Sequence, residues 1–236
     1  MISKDFATEI FPEERVNESK KIIKKMLEIC KNPYIALSFG KDSLVMMDLI
    51  YSINPEIECI FLKSEETFFM YDFERVIDWY KNNKDIRLNI VNTTKNWQIA
   101  KKKSNKDFYL DDFFYGFDGV FMGLRIRESK NRKHTLIKKE NNLVYKYIMK
   151  YKNGKRKNMY RCCPMAEWKA EEIYVYLIAK ELEMLDIYKK DGFERRTTAR
   201  FSKGAMGCNT LFWIKKNNPE NFNKICKKIP EVKFFI

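Results

Sequence analysis

Short apolar runs alternate with amphipathic segments along the first 125 residues of the chain. Four runs have the length and apolar content of buried strands: residues 34–39, 57–63, 86–92 and 119–125. Three other segments carry apolar positions at helical spacing: residues 12–30, 44–51 and 70–83. Strands that alternate with helices predict a mostly parallel sheet with right-handed crossovers and helices on both faces. We therefore expect a Rossmann-like α/β fold.

The pattern changes near residue 130. Residues 144–160 alternate around Asn153-Gly154, and Asn-Gly is the strongest short signal for a hairpin turn, so we predict a basic β-hairpin there. Three helices are predicted after it, over residues 164–185, 209–216 and 219–228. The sequence thus predicts an α/β core over residues 1–130, and a region over residues 131–236 that adds the hairpin and a helical C-terminal part.

The positive charge of the chain is regional. Residues 95–160 hold 18 Lys and Arg against six Asp and Glu, which leaves only +2 of the net charge of +14 for the rest of the chain. Such a region attracts polyanions, so a nucleic acid bound through the basic region 130–160 is a candidate partner. The alternative is a solvated surface rich in Lys and Asn, and the sequence leaves both open.

Several classes of protein are excluded or disfavoured by simple counts. No run of 18 apolar residues and no apolar N-terminal stretch of signal-peptide length occur, so we expect a cytoplasmic protein without a membrane partner. Six cysteines without a CxxC pair are typical of reduced thiols. Because His134 is the only histidine, metal centres and triads that need two imidazoles are excluded.

The stretch ALSFGKDSLVMM, residues 36–47, joins a predicted strand to a predicted helix. Free backbone N–H groups and the helix dipole favour an anion at such a junction, and Lys41 adds a positive charge. The stretch is not a Walker A loop, which would need Gly at position 35 and Ser or Thr at position 42. A carboxylate beside phosphates implies an intervening cation, so Asp42 is predicted to hold Mg²⁺.

Ser38-Phe39-Gly40-Lys41-Asp42-Ser43 resembles the SGGxDS signature of the PP-loop ATP pyrophosphatases, the adenine nucleotide α-hydrolase superfamily. Phenylalanine at the second position is similar to the phosphoadenylyl-sulfate (PAPS) reductase-like branch, which commonly has SFG there. Three further stretches resemble that branch in the same order: GLRIRES with Arg132, PMAEWKAEEIYVYL, and LDIYKKDGFERR with a later Gly-Cys. The resemblance covers about residues 30–212, and its four segments in family order make it specific.

The resemblance implies an adenine nucleotide, ATP or a sulfated adenylate, at the carboxyl edge of the sheet with Mg²⁺ as cofactor. The implied nucleotide-binding residues are Ser38, Phe39, Gly40, Lys41, Asp42, Ser43, Leu62, Lys63, Gly123, Arg125, Glu128, Ser129 and Arg132. Those implied in catalysis are Lys41, Asp42, Arg125 and Arg127. A second basic cluster that could close over the same anions is Arg195, Arg196, Arg200 and Lys203. Independently of any family, the arginines after residue 124 could form a surface cluster.

Two differences between this sequence and the PAPS reductase-like branch concern its ability to reduce a sulfated nucleotide. Reductases of this branch rely on a redox cysteine in a C-terminal tail, whereas no cysteine follows Cys226 in this sequence. The iron–sulfur relatives carry a Cys-Cys pair and a later Cys-x2-Cys; here Cys162-Cys163 is present, but Leu211 stands where Cys208 would need its partner. An iron–sulfur cluster is therefore not expected, and Cys208 remains the candidate reactive thiol.

Three hypotheses follow. The first is an enzyme that binds ATP with Mg²⁺ and cleaves at the α-phosphate, which adenylates an acceptor and releases pyrophosphate; nucleic-acid sulfur modification, with a partner protein that supplies sulfur, would fit. The second is a thiol-dependent PAPS reductase. The third is a non-enzymatic subunit that senses an adenine nucleotide and offers its basic face to a DNA-binding partner. A homodimer is a candidate assembly in each case.

Overall fold

The computed structural model describes residues 2–64, 71–93, 111–137, 143–150, 156–190, 192–193, 210–228 and 230. The strands in these residues are β1 (Pro33–Ala36), β2 (Cys59–Ser64), β3 (Leu88–Thr93), β4 (Gly119–Met122), β5 (Val144–Lys150) and β6 (Arg156–Cys162). These six described strands form one sheet in the order β3-β2-β1-β4-β6-β5. All pairings are parallel except that of β5 with β6, so the predicted α/β fold with a mostly parallel sheet is confirmed.

Helices precede the sheet and connect its strands. Before β4 they are α1 (Lys4–Glu9), α2 (Glu13–Ile29), α3 (Lys41–Tyr51), α4 (Phe73–Lys84) and α5 (Asp111–Phe114). After β4 they are a 3-10 turn (Ile126–Glu128), α6 (Lys130–Ile137), α7 (Ala170–Ala179), α8 (Asp186–Lys190), α9 (Thr210–Asn217) and α10 (Pro219–Lys228). The predicted helices over residues 12–30, 44–51, 70–83 and 209–216 are present with shifted bounds, and the one over residues 219–228 is present with the predicted bounds.

Strands are added to the sheet on one side of β1 and then on the other. The chain passes from β1 to β2 and β3 on one side and later returns to place β4 on the other side of β1. Ala36 and Met122, the last residues of β1 and β4, are register partners. The loops that leave these two strands therefore start side by side at the carboxyl edge of the sheet. Ligands of open α/β sheets bind at such a switch point.

The main hydrophobic core lies between one face of the sheet and helices α2, α3, α4 and α7. It joins Ile23 and Met26 of α2 to Cys59, Phe121 and other inward strand residues. Because strand side chains alternate, Ile60 points to the opposite face, where it packs with Phe114 and Phe117 beside α5. A third cluster contains Leu136 of α6 and Tyr145 of β5. Both faces of the sheet are thus covered by helices, as predicted.

The helix predicted over residues 164–185 is wrong at both ends. Residues before Ala170 form turns, since the Ala166 and Trp168 amides donate to carbonyls three residues earlier. Glu172 then accepts the Lys169 N–H at 2.7 Å and caps the start of α7. At the other end, Glu181 has φ 51°, and the Leu182 amide donates to Leu177 O at 2.9 Å. This is a Schellman-type ending in which glutamate takes the place usually held by glycine.

The arms of the predicted hairpin are present. Strand β5 pairs antiparallel with β6, from Val144 opposite Cys162 to Lys150 opposite Arg156. The turn at Asn153-Gly154 lies outside the described residues. Strand β6 also pairs in parallel with β4, so the hairpin extends the same sheet as the first half of the chain. The division at residue 130 stays a prediction.

No helix in the described part of the chain combines the length and the hydropathy needed to cross a bilayer.

Candidate functional site

The loop between β1 and α3 begins with an unusual backbone conformation. Phe39 has φ 54°, in the left-handed region that favours glycine, and its side chain is fully buried. Its ring meets Phe61 edge to face, with the ring centroids 5.1 Å apart. Gly40 follows as the N-cap residue of α3 in an extended conformation. The loop thus turns sharply around an anchored aromatic ring and delivers Lys41, Asp42 and Ser43 into the first turn of the helix.

Hydroxyl groups hold this loop together. Ser43 Oγ donates to Gly40 O at 2.9 Å, and Ser38 Oγ lies 3.0 Å from Ser43 Oγ. The Ser38 amide donates to Ser43 Oγ at 3.2 Å, and the Gly40 amide donates to Ser38 Oγ at 3.3 Å. Since the Ser43 hydroxyl proton goes to Gly40 O, Ser38 is the donor of the pair. The two predicted serines therefore shape the loop, and Ser38 is exposed to solvent.

Gly123, the first residue after β4, permits a close approach to the start of α3. A Cβ at this position would lie 3.1 Å from Asp42 C, Ser43 Cα and Ser43 N. That separation is tighter than ordinary van der Waals contact, and all three neighbours are backbone atoms. The absence of a side chain at Gly123 therefore lets the chain after β4 run directly against the helix N-terminus.

Arg125, two residues further, reaches Asp42 across 83 positions of sequence. Its Nε donates to Asp42 Oδ1, and the two side chains are 6% and 13% exposed. Lys41 Nζ lies 3.6 Å from Asp42 Oδ2, and the Lys41 side chain is 4% exposed. The predicted Lys41, Asp42 and Arg125 are thus brought together at the N-terminus of α3. Buried charges interact strongly because water screens them poorly.

Tyr188 of α8 covers Lys41 and was not predicted as a site residue. Lys41 Nζ lies 5.1 Å from the centroid of the Tyr188 ring, and the Lys41 amide donates to the Tyr188 hydroxyl at 3.4 Å. The contact spans 147 residues of sequence. The tyrosine lies in the LDIYKKDG stretch, whose resemblance to the PAPS reductase-like branch was the signal that could have pointed to it.

Solvent reaches the carboxyl edge of the sheet beside this cluster. Ser38 is exposed, and Leu62 at the end of β2 is 42% exposed, whereas Lys41, Asp42 and Ser43 are buried. Lys63, the next residue of β2, is half-buried. A nucleotide could therefore approach along the Ser38 side of the loop, next to the predicted adenine-contacting residues Leu62 and Lys63.

The remaining predicted residues lie in the 3-10 turn and at the start of α6. Glu128 accepts the Arg125 N–H at 3.0 Å and forms an ion pair with Arg132. Ser129 Oγ accepts the Arg132 N–H at 3.2 Å, as a helix cap does. Arg127 is exposed. Glu128 thus orients the backbone that carries Arg125, whereas direct nucleotide contacts of Ser129, Arg127 and Arg132 stay predictions.

The described residues do not form a ready Mg²⁺ site. Mg²⁺ prefers oxygen ligands and usually takes one or two carboxylates together with phosphates and waters. Both Asp42 oxygens face cationic groups, Arg125 Nε and Lys41 Nζ. Within the described residues, no group of three or more carboxylate, thiol or imidazole side chains could hold a metal. Mg²⁺ on Asp42 would have to replace these contacts, so its metal role stays a prediction.

Burial makes three of the described thiols unsuited to nucleophilic attack. Burial raises the pKa of Cys163 to about 11 and that of Cys59 to about 12. Burial also raises the pKa of Cys162 well above its ordinary value. A thiol with a raised pKa carries little thiolate at neutral pH, and the thiolate is the reactive form. Cys162 and Cys163 are therefore core residues in this fold.

Other predicted groups lie outside the described residues. They are the candidate thiol Cys208 and the second basic cluster of Arg195, Arg196, Arg200 and Lys203.

Comparison with known proteins identifies the family and supports the fold. The sequence model of the phosphoadenosine phosphosulfate reductase domain matches residues 32–211. An adenosine 5'-phosphosulfate reductase of Staphylococcus epidermidis is 25% identical over 203 residues, which cover 79% of this chain and 77% of the relative.

Two solved structures are similar in fold. A phosphoadenylyl-sulfate reductase from Candida auris has a TM-score of 0.50 and 14% identity, over 74% of this chain and 85% of its own. A U34-tRNA thiolase from Methanococcus maripaludis has a TM-score of 0.50 and 17% identity, over 95% of this chain and 80% of its own. The family match spans both loops that meet at the switch point. The chain therefore belongs to the phosphoadenosine phosphosulfate reductase domain family.

Proposed function

We propose that this protein binds ATP with its phosphates against the N-terminus of α3. The observation that carries the proposal is the convergence of Lys41 and Arg125 on Asp42 at the switch point of the sheet. A helix N-terminus, two cationic side chains and a glycine-containing loop together favour a polyphosphate there. Membership in a family named for a phosphosulfate adenine nucleotide supports the same class of ligand.

We further propose that the bound ATP is cleaved at its α-phosphate. An acceptor oxygen or nitrogen forms a bond to the α-phosphorus, the bond to the bridging oxygen breaks, and pyrophosphate leaves with the electron pair. The acceptor loses its proton to solvent or a neighbouring base. Such a displacement needs neutralisation of charge on the phosphate oxygens more than covalent help. Lys41 and Arg125 supply that neutralisation.

The charge of the basic region 130–160 supports a nucleic acid as the acceptor. Sulfur modification of such an acceptor would need a partner protein that supplies sulfur. The tRNA thiolase is similar in fold at 17% identity, which is compatible with this hypothesis but shows the fold alone.

Thiol-dependent reduction of a sulfated adenylate is the second candidate. The similarity to an adenosine 5'-phosphosulfate reductase favours it. Attack on the sulfur would require a thiolate, which burial disfavours at Cys59, Cys162 and Cys163. For this candidate, the attacking thiol would be Cys208, the reactive thiol predicted from the sequence, or a thiol from a partner. A thioredoxin-coupled assay with adenylyl sulfate, repeated on Cys208→Ser, separates it from the first.

The proposed function is tested with ATP labelled at the α-phosphate. The full chain is incubated with labelled ATP, with and without Mg²⁺ and with RNA or DNA as acceptor. Labelled AMP or a labelled acceptor, together with one equivalent of pyrophosphate, is the expected result. Binding of ATP without any turnover would favour the nucleotide-sensing subunit, and no binding would overturn the nucleotide site.

Asp42→Asn should lower turnover of ATP at least about tenfold, because the neutral side chain no longer pairs with Arg125 and Lys41 and so does not hold them in place. Breaking a buried pair on one side costs about 3–5 kcal/mol in the free energy of unfolding, so thermal unfolding checks that the variant is folded. ATP affinity in EDTA should not fall, because the substitution removes a negative charge beside a polyanion. Release of labelled AMP measures turnover, and calorimetric titration measures affinity. Unchanged turnover would contradict the role of Asp42, and a loss of affinity confined to the Mg²⁺ buffer would identify a metal ligand.

Asp48→Asn is the matched control. Asp48 lies on the same helix, where its carboxylate accepts from Tyr176 Oη at 2.8 Å and Lys84 Nζ at 3.2 Å. It makes no contact with the loop among the bonds of the described residues. The substitution should therefore lower the free energy of unfolding while turnover of ATP and ATP affinity stay the same.

A further inference from the structure

An ion network fixes the segment that leads into α8. Arg75 of α4 pairs with Asp72, with Glu183 at 2.7 Å and with Asp186 at 3.2 Å. Its Nη2 also donates to Met184 O at 2.9 Å. Arg75 therefore connects the start of α4 to Glu183, Met184 and Asp186, which lead into α8.

Further contacts brace the same segment. The Asp186 amide donates to Asp72 Oδ1 at 3.1 Å, and Lys189 Nζ pairs with Glu183 at 2.6 Å. Tyr80 Oη donates to Glu183 O at 3.0 Å. A single exposed ion pair contributes little to stability, but this network combines side-chain and backbone anchors. We call the segment from Glu183 to Tyr188 the strut.

The strut is also packed into the core, which argues against a mobile lid. Met184 is 2% exposed, and Leu185 and Ile187 are fully buried. Tyr188 is 3% exposed and lies at the end of this packed segment. Local opening is favoured where buried apolar contacts are few, and here they are many. The position of the Tyr188 ring is therefore set by the scaffold.

The ring lies where it can act on Lys41. An ammonium within about 6 Å of an aromatic centroid is attracted to the ring face, and the measured separation is 5.1 Å. Fixing the long stem of a lysine in one rotamer costs entropy. The Tyr188 ring adds to the Asp42 pair in fixing the Lys41 side chain in the folded protein, before any ligand binds.

We propose that Tyr188 is a positioning residue that preorganises Lys41 for polyphosphate, with the strut as its support. The inference rests on the proposed nucleotide site. The ring holds the ammonium at the N-terminus of α3, where Lys41 also pairs with Asp42. Phosphate affinity at this loop thus depends on α4 and α8, elements that do not belong to the loop itself.

The test is a double-mutant cycle on the full chain, with inorganic pyrophosphate as the calorimetric probe. Tyr188→Leu removes the ring face and should weaken pyrophosphate binding about tenfold. Tyr188→Phe keeps the ring and should stay within about twofold of the unmodified protein, because the lost hydroxyl contact is long. In a Lys41→Met background, Tyr188→Leu should cause no further loss, because Tyr188 acts through Lys41.

A merely structural role would give a different pattern. It would weaken binding equally with Lys41 and with Met at position 41, and this outcome overturns the inference. Unchanged or tighter binding by Tyr188→Leu also overturns it, while leaving the nucleotide site intact. Failure of the unmodified protein to bind pyrophosphate or ATP overturns the nucleotide site and the role of Tyr188 together.

Two further variants guard against loss of the fold. Tyr188→Met, whose unbranched side chain has about the same volume as leucine but adapts to irregular space, replaces Tyr188→Leu if thermal unfolding shows that the leucine variant is not folded. Arg75→Gln loosens the strut without touching the loop and should weaken pyrophosphate binding about threefold, a smaller effect than loss of the ring. If a folded Arg75→Gln variant binds pyrophosphate as tightly as the unmodified protein, the strut does not support the position of the Tyr188 ring.

Discussion

At position 39 the chain places a phenylalanine where the backbone favours glycine. The φ of 54° costs about 1–3 kcal/mol for a residue with a side chain. The fully buried ring offsets this cost through its packing against Phe61 and, at 6.2 Å between centroids, Tyr80. The SGGxDS signature has glycine at this position, and the structure shows why an aromatic residue is tolerated there.

Phe39→Gly should therefore lower the free energy of unfolding by about 2–3 kcal/mol. The lost ring leaves a cavity that costs about 3–5 kcal/mol, and the relieved backbone returns part of it. Phe39→Ala should be about 1 kcal/mol less stable than Phe39→Gly, because alanine keeps the strain. Urea unfolding measures both values. A glycine variant as stable as the unmodified protein, or less stable than the alanine variant, would refute this account.

Among the secondary-structure elements, the site depends on how closely the end of β4 approaches the start of α3. Register pairing of Ala36 with Met122 sets the two loops side by side. Gly123 then lets them touch, and Arg125 closes the contact through Asp42.

Gly123→Ala should disturb this approach. The added methyl group would meet the backbone of Asp42 and Ser43 at 3.1 Å, and overpacking typically costs about 1–3 kcal/mol. We expect a lower melting temperature and severalfold weaker ATP binding, measured by calorimetry. Gly116→Ala is the control, because a Cβ there would meet nothing within 4 Å. Equal behaviour of the two variants would show that the close approach is unimportant.

The exposed face of the β5–β6 hairpin is a described part of the basic region that can meet a polyanion. Lys146 and Arg156 are exposed, and no acidic residue occurs in either strand. Arg161 does not belong to this face, because its guanidinium lies 4.6 Å from the centroid of the Tyr147 ring. Alternation along the strands directs Arg161 and Arg156 to opposite faces.

Reversing charge on this face tests the nucleic-acid prediction. Lys146→Glu with Arg156→Glu should weaken retention of RNA or DNA and flatten the salt dependence by about one to two counterions. Filter binding at several salt concentrations measures the slope. Lys24→Glu with Lys25→Glu on exposed positions of α2 makes the same change of net charge elsewhere. Identical slopes for the two double variants would leave the hairpin as solvated surface.

For the whole molecule, the burial of reduced thiols makes stability sensitive to alkaline pH. The folded pKa of Cys59 is about 12 and that of Cys163 about 11, against an ordinary value of 9.0. The folded state therefore keeps protons that the unfolded state releases above pH 9. The stabilisation is fully present below pH 9 and is lost as the pH rises through 11 to 12.

The free energy of unfolding should thus fall between pH 9 and 10 by up to about 1.4 kcal/mol for each such thiol. Urea unfolding at pH 8, 9 and 10 in the presence of a reductant measures the fall. Cys59→Val fills similar space without a titrating group. It should reduce the pH dependence of the free energy of unfolding by the contribution of one thiol. A flat profile, or an unchanged slope in the valine variant, would contradict this origin of the pH dependence.

The sequence by itself determined the alternation of strands and helices, the loop after β1 and the residue types at the helix N-terminus, because period, turn chemistry and capping are local. It also indicated Arg125 through a short motif. The bounds of α7 were missed, because turn hydrogen bonds and a left-handed glutamate decided them.

Only the tertiary structure decided which partners meet. The strand order places β4 beside β1, so Arg125 reaches Asp42 across 83 residues. The packed strut brings Tyr188 over Lys41 across 147 residues. Contacts between distant residues depend on strand order and on packing of the whole core, and no local pattern in the chain encodes either one.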